Sequence, residues 1–175
     1  MNPRLIEKII ASCKKCIFID KPPCIYHVYK RFLPGIVKVL VVSESPPPGN
    51  KSDYLYNLDH SDRLRKVLAR IFNIPSTEVI NYLVKNNIFW TTAVKCRPIS
   101  KKYIEIMRRN CLYILDLEIK ELKPRKIIAL GTIARKSVNE LRIENIPIEK
   151  HYHPLYLARF HKNNLQSLRS LILGD

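Results

Sequence analysis

Three kinds of side chain in this sequence are spaced so that they could do chemistry. The first is cysteine. Cys13 and Cys16 form a C-x-x-C pair, and Cys96 and Cys111 follow with fourteen residues between them. Four thiolates can hold tetrahedral zinc or an iron–sulfur cubane. One close pair plus two distant single cysteines is less zinc-like than two close pairs. Cys111 equally suits a small core position, whereas Cys96, between Lys95 and Arg97, suits plain burial less well. Cys24 is a spare or a replacement ligand. The second kind is a carboxylate, Glu44, in the run Ser43-Glu44-Ser45-Pro46-Pro47-Pro48-Gly49. It could stabilise a cation or orient water, or simply cap a turn or pair with a nearby cation. The third is an imidazole, His153, just before Pro154. It could stabilise a developing anion, or be a hydrogen-bonded structural histidine. Around the cysteine positions stand Lys14, Lys15, Lys95, Arg97, Lys101, Lys102, Arg108 and Arg109. They read either as a solvated face or as cations presented to phosphates.

The elements that must position these groups follow from hydrophobic periodicity. Pro3 to Ser12 reads as a short amphipathic helix, and Val37 to Val42 as a buried strand that the proline run must end. Asp62 to Phe72 is helical, with Leu64, Val67, Leu68 and Ile71 at helical spacing, and Ser76-Thr77-Glu78 starts a short helix ending near Lys85. Ile88 to Val94 is a second strand. Ser100 can cap a long helix to Leu122, striped by Ile104, Met107, Cys111, Leu115, Ile119 and Leu122. Lys126 to Leu130 is a third strand, followed by a helix from Thr132 to about Leu141. Ile146 to Ile148 forms a fourth strand, a His-Pro loop follows, and Asn163 to Leu173 makes the last helix. Strands alternating with helices predict an α/β fold, a mainly parallel four-stranded sheet. Ligands of such sheets sit beyond the carboxyl ends of the strands, and Glu44, Cys96 and His153 all fall there.

Composition narrows the class. The 175 residues fit one domain, 1–175, and 46% hydrophobic against 26% charged residues excludes a disordered or low-complexity chain. With 31 Lys+Arg against 15 Asp+Glu, the formal charge is +16, which favours a polyanionic partner: nucleic acid first, an acidic membrane surface second. No apolar run approaches the ~20 residues that span a bilayer, and the start shows no secretion signal, so the expectation is an intracellular protein with reduced thiols. An odd number of cysteines, five, then favours metal or structural roles over disulfides. Many Ile and Lys with few Gly hint at a thermophile.

Taken in order, these motifs resemble the uracil-DNA glycosylase superfamily, most closely its iron–sulfur branch, often called family 4. The matching residues are Cys13-Lys14-Lys15-Cys16, then Val41-Val42-Ser43-Glu44-Ser45-Pro46 where the family has a strand ending in Gly-Glu-Ala-Pro-Gly. Thr92-Ala93-Val94-Lys95-Cys96-Arg97-Pro98 stands for Asn-x-x-Lys-Cys-Arg-Pro, with Cys111 at the family's next cysteine. Pro124 to Ala134 matches Pro-x-x-Ile-Ile-x-Leu-Gly-x-x-Ala, and Tyr152 to Arg159 the His-Pro loop. The resemblance implies a three-layer αβα fold, DNA as partner, a monomer, and a structural 4Fe-4S cluster on Cys13, Cys16, Cys96 and Cys111. It implies that a flipped base is excised by hydrolysis of its N-glycosidic bond. Glu44 would stabilise the sugar cation and orient water, and His153 the departing base. Ser43, Thr92 and either Tyr54 or Tyr56 would contact the base. Leu155 and Tyr156 would wedge into the vacated stack, with Arg159, Lys95 and Arg97 on the DNA.

The sequence departs from that pattern in the base pocket. Thr92 replaces an Asn whose amide offers both a donor and an acceptor, Pro47 replaces a Gly and loses a backbone N–H, and a Tyr replaces a Phe. The expectation is a glycosylase for uracil or a related damaged base, its base selection drifted. The alternatives are a non-catalytic iron–sulfur nucleic-acid-binding protein on the same fold, or a small-ligand α/β enzyme with zinc at the cysteines.

Overall fold

The computed structural model describes residues 3–174. Nine α-helices and four strands alternate along them. Helix α1 (Pro3–Ser12) is followed by two single turns, α2 (Pro22–Ile25) and α3 (Val28–Arg31). Strand β1 (Val39–Ser43) leads to α4 (Arg63–Phe72) and α5 (Val79–Lys85), then β2 (Ile88–Thr92). A 3₁₀ turn, Lys101–Tyr103, enters the long α6 (Ile104–Leu122). Strand β3 (Lys126–Leu130), α7 (Gly131–Glu140), β4 (Ile148–His151), α8 (Pro154–Phe160) and α9 (Leu165–Leu173) complete the chain.

All four strands are parallel, in the order β2-β1-β3-β4. Every residue of β1 and β2 is buried, so both faces of the sheet are covered, the condition under which parallel strands read as unbroken apolar runs. Connection handedness explains the two covering layers. From β1 the chain steps one way to β2; from β2 and β3 it steps the other way. Right-handed crossovers therefore put α4 and α5 on one face and α6 and α7 on the other. The packing follows suit: α4 contacts α5, α8 and α9, while α6 contacts α1 and α7. This is the three-layer αβα arrangement expected. The opposed departures of β1 and β3 make a crevice between their carboxyl ends, the usual ligand position of such sheets.

Local chemistry sets the ends. Asp62 caps α4 by accepting the Arg65 N–H at 2.9 Å, and Asn73 closes it in a left-handed conformation. Neither Ser100 nor the Ser76–Glu78 segment supplies a side-chain cap: the helices they precede begin without one. The fourth strand starts two residues later than expected: the β3–β4 register begins at Ile148, and Pro147, which has no N–H to give, joins only by accepting the Ile127 N–H at 2.9 Å. The largest difference is α8. The segment after His153 is a helix rather than a loop, since Pro154 occupies the first helical position, where its fixed φ is favourable and its missing N–H costs nothing. Among the described residues no helix is long and apolar enough to cross a membrane.

One polar cluster joins the layers. Lys95, just past β2, is 1% exposed and its Nζ donates to Glu118 of α6, itself fully buried, and to Thr91 Oγ1 at 2.8 Å. Tyr29 of α3 donates its hydroxyl to the other Glu118 oxygen at 2.8 Å. Removing one member of a buried ion pair strands the other charge, at a cost of about 3–5 kcal/mol. Glu118→Gln and Lys95→Met should each lower denaturant-unfolding stability by that order, and Lys95→Met with Glu118→Leu should recover much of the loss. Additive losses in the double variant would show that the pair is not coupled.

Candidate active site

A cavity of about 490 Å³ opens at the crevice the topology defines. Each strand brings residues to it. Ser43 ends β1 and Glu44 follows it, Thr92 ends β2, Leu130 ends β3 and Gly131 opens α7, and His153 comes from the segment after β4. Gly131 turns from strand to helix with φ +81°, a left-handed conformation that strains any other residue, and its Cα faces the His153 side chain.

Glu44 is half-buried and its carboxylate has no hydrogen-bond or ion-pair partner among the described residues. It is held through its backbone, whose carbonyl accepts the Val94 N–H at 3.0 Å. That leaves the carboxylate free to meet whatever enters the cavity. His153 is oriented by its own helix: Nδ1 accepts the Leu155 N–H at 3.3 Å, capping α8. With the lone pair on Nδ1 engaged, the proton of the neutral ring sits on Nε2. Burial, reinforced by the positive charge of Lys101, pushes the His153 pKa down to about 4, so the ring is neutral at physiological pH.

The aromatic wall is fixed just as closely. Tyr56 donates its hydroxyl to the Trp90 carbonyl at 2.9 Å, accepts the Trp90 N–H at 3.2 Å, and stacks on Phe32. Tyr54 stacks on Tyr26. Both tyrosines line the cavity with one face already covered. Burial raises both phenol pKa values well above normal, so neither contributes charge. Ser43 lines the cavity too, but its hydroxyl is engaged: it donates to the Thr91 carbonyl at 3.2 Å and accepts the Trp90 indole N–H at 3.1 Å. Thr92 donates its hydroxyl to the Val94 carbonyl at 2.7 Å, leaving only lone pairs toward the cavity. Leu155 and Tyr156 stand exposed at the rim, with Arg159 one turn along α8.

Two residues expected on the DNA face lie elsewhere. Lys95 is spent on Glu118 and Thr91 inside the molecule. Arg97 is 1% exposed, paired with Asp20 at 2.9 Å and donating to the Pro47 and Asp53 carbonyls. It pins the proline loop that carries Glu44, with help from the Gly49 N–H on the Pro98 carbonyl. Arg108 is likewise buried, on Glu105. The sign of a residue predicts attraction to phosphate, but a neighbouring carboxylate within the fold outcompetes it, and Asp20 and Glu118 are distant in sequence. The exposed cations at the cavity are Lys51, Arg63 and Lys101. Lys51 and Arg63 went unnoticed in the sequence, where isolated cations carry no signal.

Four of the cysteines lie in one neighbourhood. Cys13, Cys16 and Cys111 all act electrostatically on Cys96, and Cys13 and Cys16 on Cys111. All are free thiols. Burial, followed by the neighbouring thiols, pushes Cys96 up to about 12. The group receives donors: Asn110 Nδ2 lies 3.3 Å from Cys16 Sγ, and the Lys95 backbone N–H points at Cys111. Among the described residues no three Cys, His, Asp or Glu side chains are drawn together at metal-holding distance. Cys24 stands apart, its thiol 3.7 Å from the Glu7 carbonyl and raised by burial to about 11.

The molecule is thus a parallel α/β protein with a carboxylate and a neutral imidazole facing one cavity at its switch point. The sequence profile of the uracil DNA glycosylase superfamily matches residues 31–173, and the chain belongs to that superfamily. It is similar to a type-4 uracil-DNA glycosylase of Pyrobaculum aerophilum, with 28% identity over 149 residues, 81% of this chain and 66% of the relative. The chain thus spans just under two thirds of that relative's length.

The His153 environment has a measurable consequence. Its folded pKa lies below the ordinary 6.5, so the unfolded chain binds the extra proton and this contribution to stability is full above about pH 6.5 and lost as the pH falls toward 4. NMR titration of His153 should give a midpoint near 4, rising in Lys101→Ala. A midpoint near 6.5 would contradict a buried neutral ring.

Proposed function

We propose that this protein is a DNA glycosylase that flips a damaged base, uracil or a close relative, into the cavity and hydrolyses its N-glycosidic bond. The observation that carries this reading is the placing of an unpartnered Glu44 and a neutral His153 on one cavity large enough for a nucleobase, within the ~300–1,000 Å³ of small-molecule sites. As the C–N bond breaks, its electron pair leaves with the base and positive charge builds on the sugar. Glu44 stabilises that charge and takes a proton from the water that attacks the anomeric carbon. His153 donates its Nε2–H to the departing base's oxygen, and a neutral donor there avoids overprotonating the anion. Tyr54 or Tyr56 offers a π-face to the base, Leu155 and Tyr156 occupy the vacated stack, and Arg159, Lys51, Arg63 and Lys101 meet phosphates.

Thr92 bears on which base is taken. Its proton is committed to Val94, so it can accept from a base N–H but cannot donate to a base oxygen. A pocket that reads an N–H discriminates less sharply than an amide reading two groups. We therefore place uracil alongside hypoxanthine and xanthine as substrates to compare.

Cys13, Cys16, Cys96 and Cys111 would hold a 4Fe-4S cluster: an all-thiol donor set whose members act on one another electrostatically, with an N–H donor at the Cys16 sulfur, supports this reading, and cluster binding would draw the thiols in from their present spacing. When bound, the cluster would staple the segment before Asp20 to the loop after β2, a structural service.

Strand cleavage after alkaline treatment of uracil oligonucleotides tests the activity. Glu44→Ala and His153→Ala should each slow excision by about 10²–10³-fold while sparing DNA binding. Undiminished excision in both would overturn the assignment. Cys16→Ser should lose visible absorbance and stability together; a colourless, equally stable wild type would remove the cluster.

A further inference from the structure

Helix α8 carries a run of exposed rings of which the proposed excision uses Tyr156 alone. Tyr152 (52% exposed), Tyr156 and Phe160 (56% exposed) lie four positions apart, so they share one side of the helix and the turn before it. Tyr152 and Tyr156 stack at 5.2 Å, and Tyr156 meets Phe160 at 5.0 Å and His161 at 5.5 Å. Cations flank the row. The Arg135 guanidinium sits 5.3 Å over Tyr152, and that of Arg159 5.0 Å over Phe160. Among the described residues neither has a carboxylate partner, and the buried Arg135 Nε has no hydrogen-bond partner. The row begins at the rim of the cavity, to which Tyr156 belongs, and ends in a second hollow of about 390 Å³ lined by Arg159, Phe160, His161, Lys162, Asn163 and Asn164.

We infer that this face is a stacking track for single-stranded DNA adjoining the flipped nucleotide, so that the protein prefers its target base in unpaired strands. The inference rests on the proposed glycosylase reading for the identity of the strand. Exposed rings edged by unpaired cations fit a ligand with alternating flat apolar faces and anions, which an unpaired strand presents and a duplex hides inside its stack. The rings hold one another, so little side-chain freedom is lost on binding. A strand without a complement also gives up its target base most cheaply.

The test uses the full chain and fluorescein-labelled oligonucleotides, single-stranded and duplex, with one uracil or none, plus oligothymidylate. Tyr152→Ala and Phe160→Ala should each weaken single-strand binding about tenfold, given roughly 1–3 kcal/mol per stacked base, and change duplex binding by less than about twofold. Tyr152→Trp should restore binding, since it keeps a π-face; circular dichroism confirms that each variant is folded. Unchanged single-strand affinity, equal losses on both substrates, or a wild type that binds duplex better would overturn the track. The two readings fail separately. If uracil is excised but the ring variants bind as wild type, the track falls and the enzyme stands. If oligothymidylate binding drops in the variants while nothing is cut, the track stands and the glycosylase falls.

Discussion

The buried Lys95–Glu118 pair is the constraint around which the site is arranged. Two opposite charges out of water are tolerable only when each is fully engaged, and here Tyr29 and Thr91 take the remaining hydrogen-bonding positions. The four groups come from α3, β2, the loop after β2 and α6. Their geometry therefore fixes how the amino-terminal helices, the sheet and the long helix meet. Lys95 immediately precedes Cys96 and Arg97. Once Lys95 is anchored inward, Cys96 faces Cys111 of α6, and Arg97 reaches Asp20 and the proline loop. The thiol group and the proline loop are thus set by a single inward-turned lysine.

The proline loop shows how rigidity is achieved without regular structure. Three consecutive prolines supply no N–H for a ladder, so the segment is held by what others donate to it. Arg97 bonds the Pro47 carbonyl and Val94 the Glu44 carbonyl. Glu44 is held by backbone on both sides while its carboxylate stays free. A carboxylate facing a cavity stays available in this way, because partners on its side chain would have to be displaced before it could meet a ligand.

Sequence patterns revealed the sheet, because a parallel strand buried on both faces is apolar throughout, and Val39–Ser43, Ile88–Thr92 and Lys126–Leu130 all show it. They pointed to Glu44 and His153 because strand ends are where α/β proteins keep their ligands, and both side chains do line one cavity. They did not reveal where Lys95 and Arg97 point, since that depends on carboxylates 23 and 77 positions away. Helix α8 hid behind its proline, which marks a helix start as readily as a break; His at the cap and Pro at the first position were the signal available. The short turns α2 and α3 have no periodicity to detect.

Tyr56 has a second meaning beyond the wall it forms. Strand β2 is at the margin of the sheet, with β1 on one side only. The outward N–H and C=O of Trp90 would otherwise invite another chain to add itself there, and the Tyr56 hydroxyl satisfies both. One phenol therefore shapes the cavity and guards a sheet margin against self-association. Refashioning that wall would loosen the guard, so the shape of the cavity and colloidal behaviour are coupled through this residue.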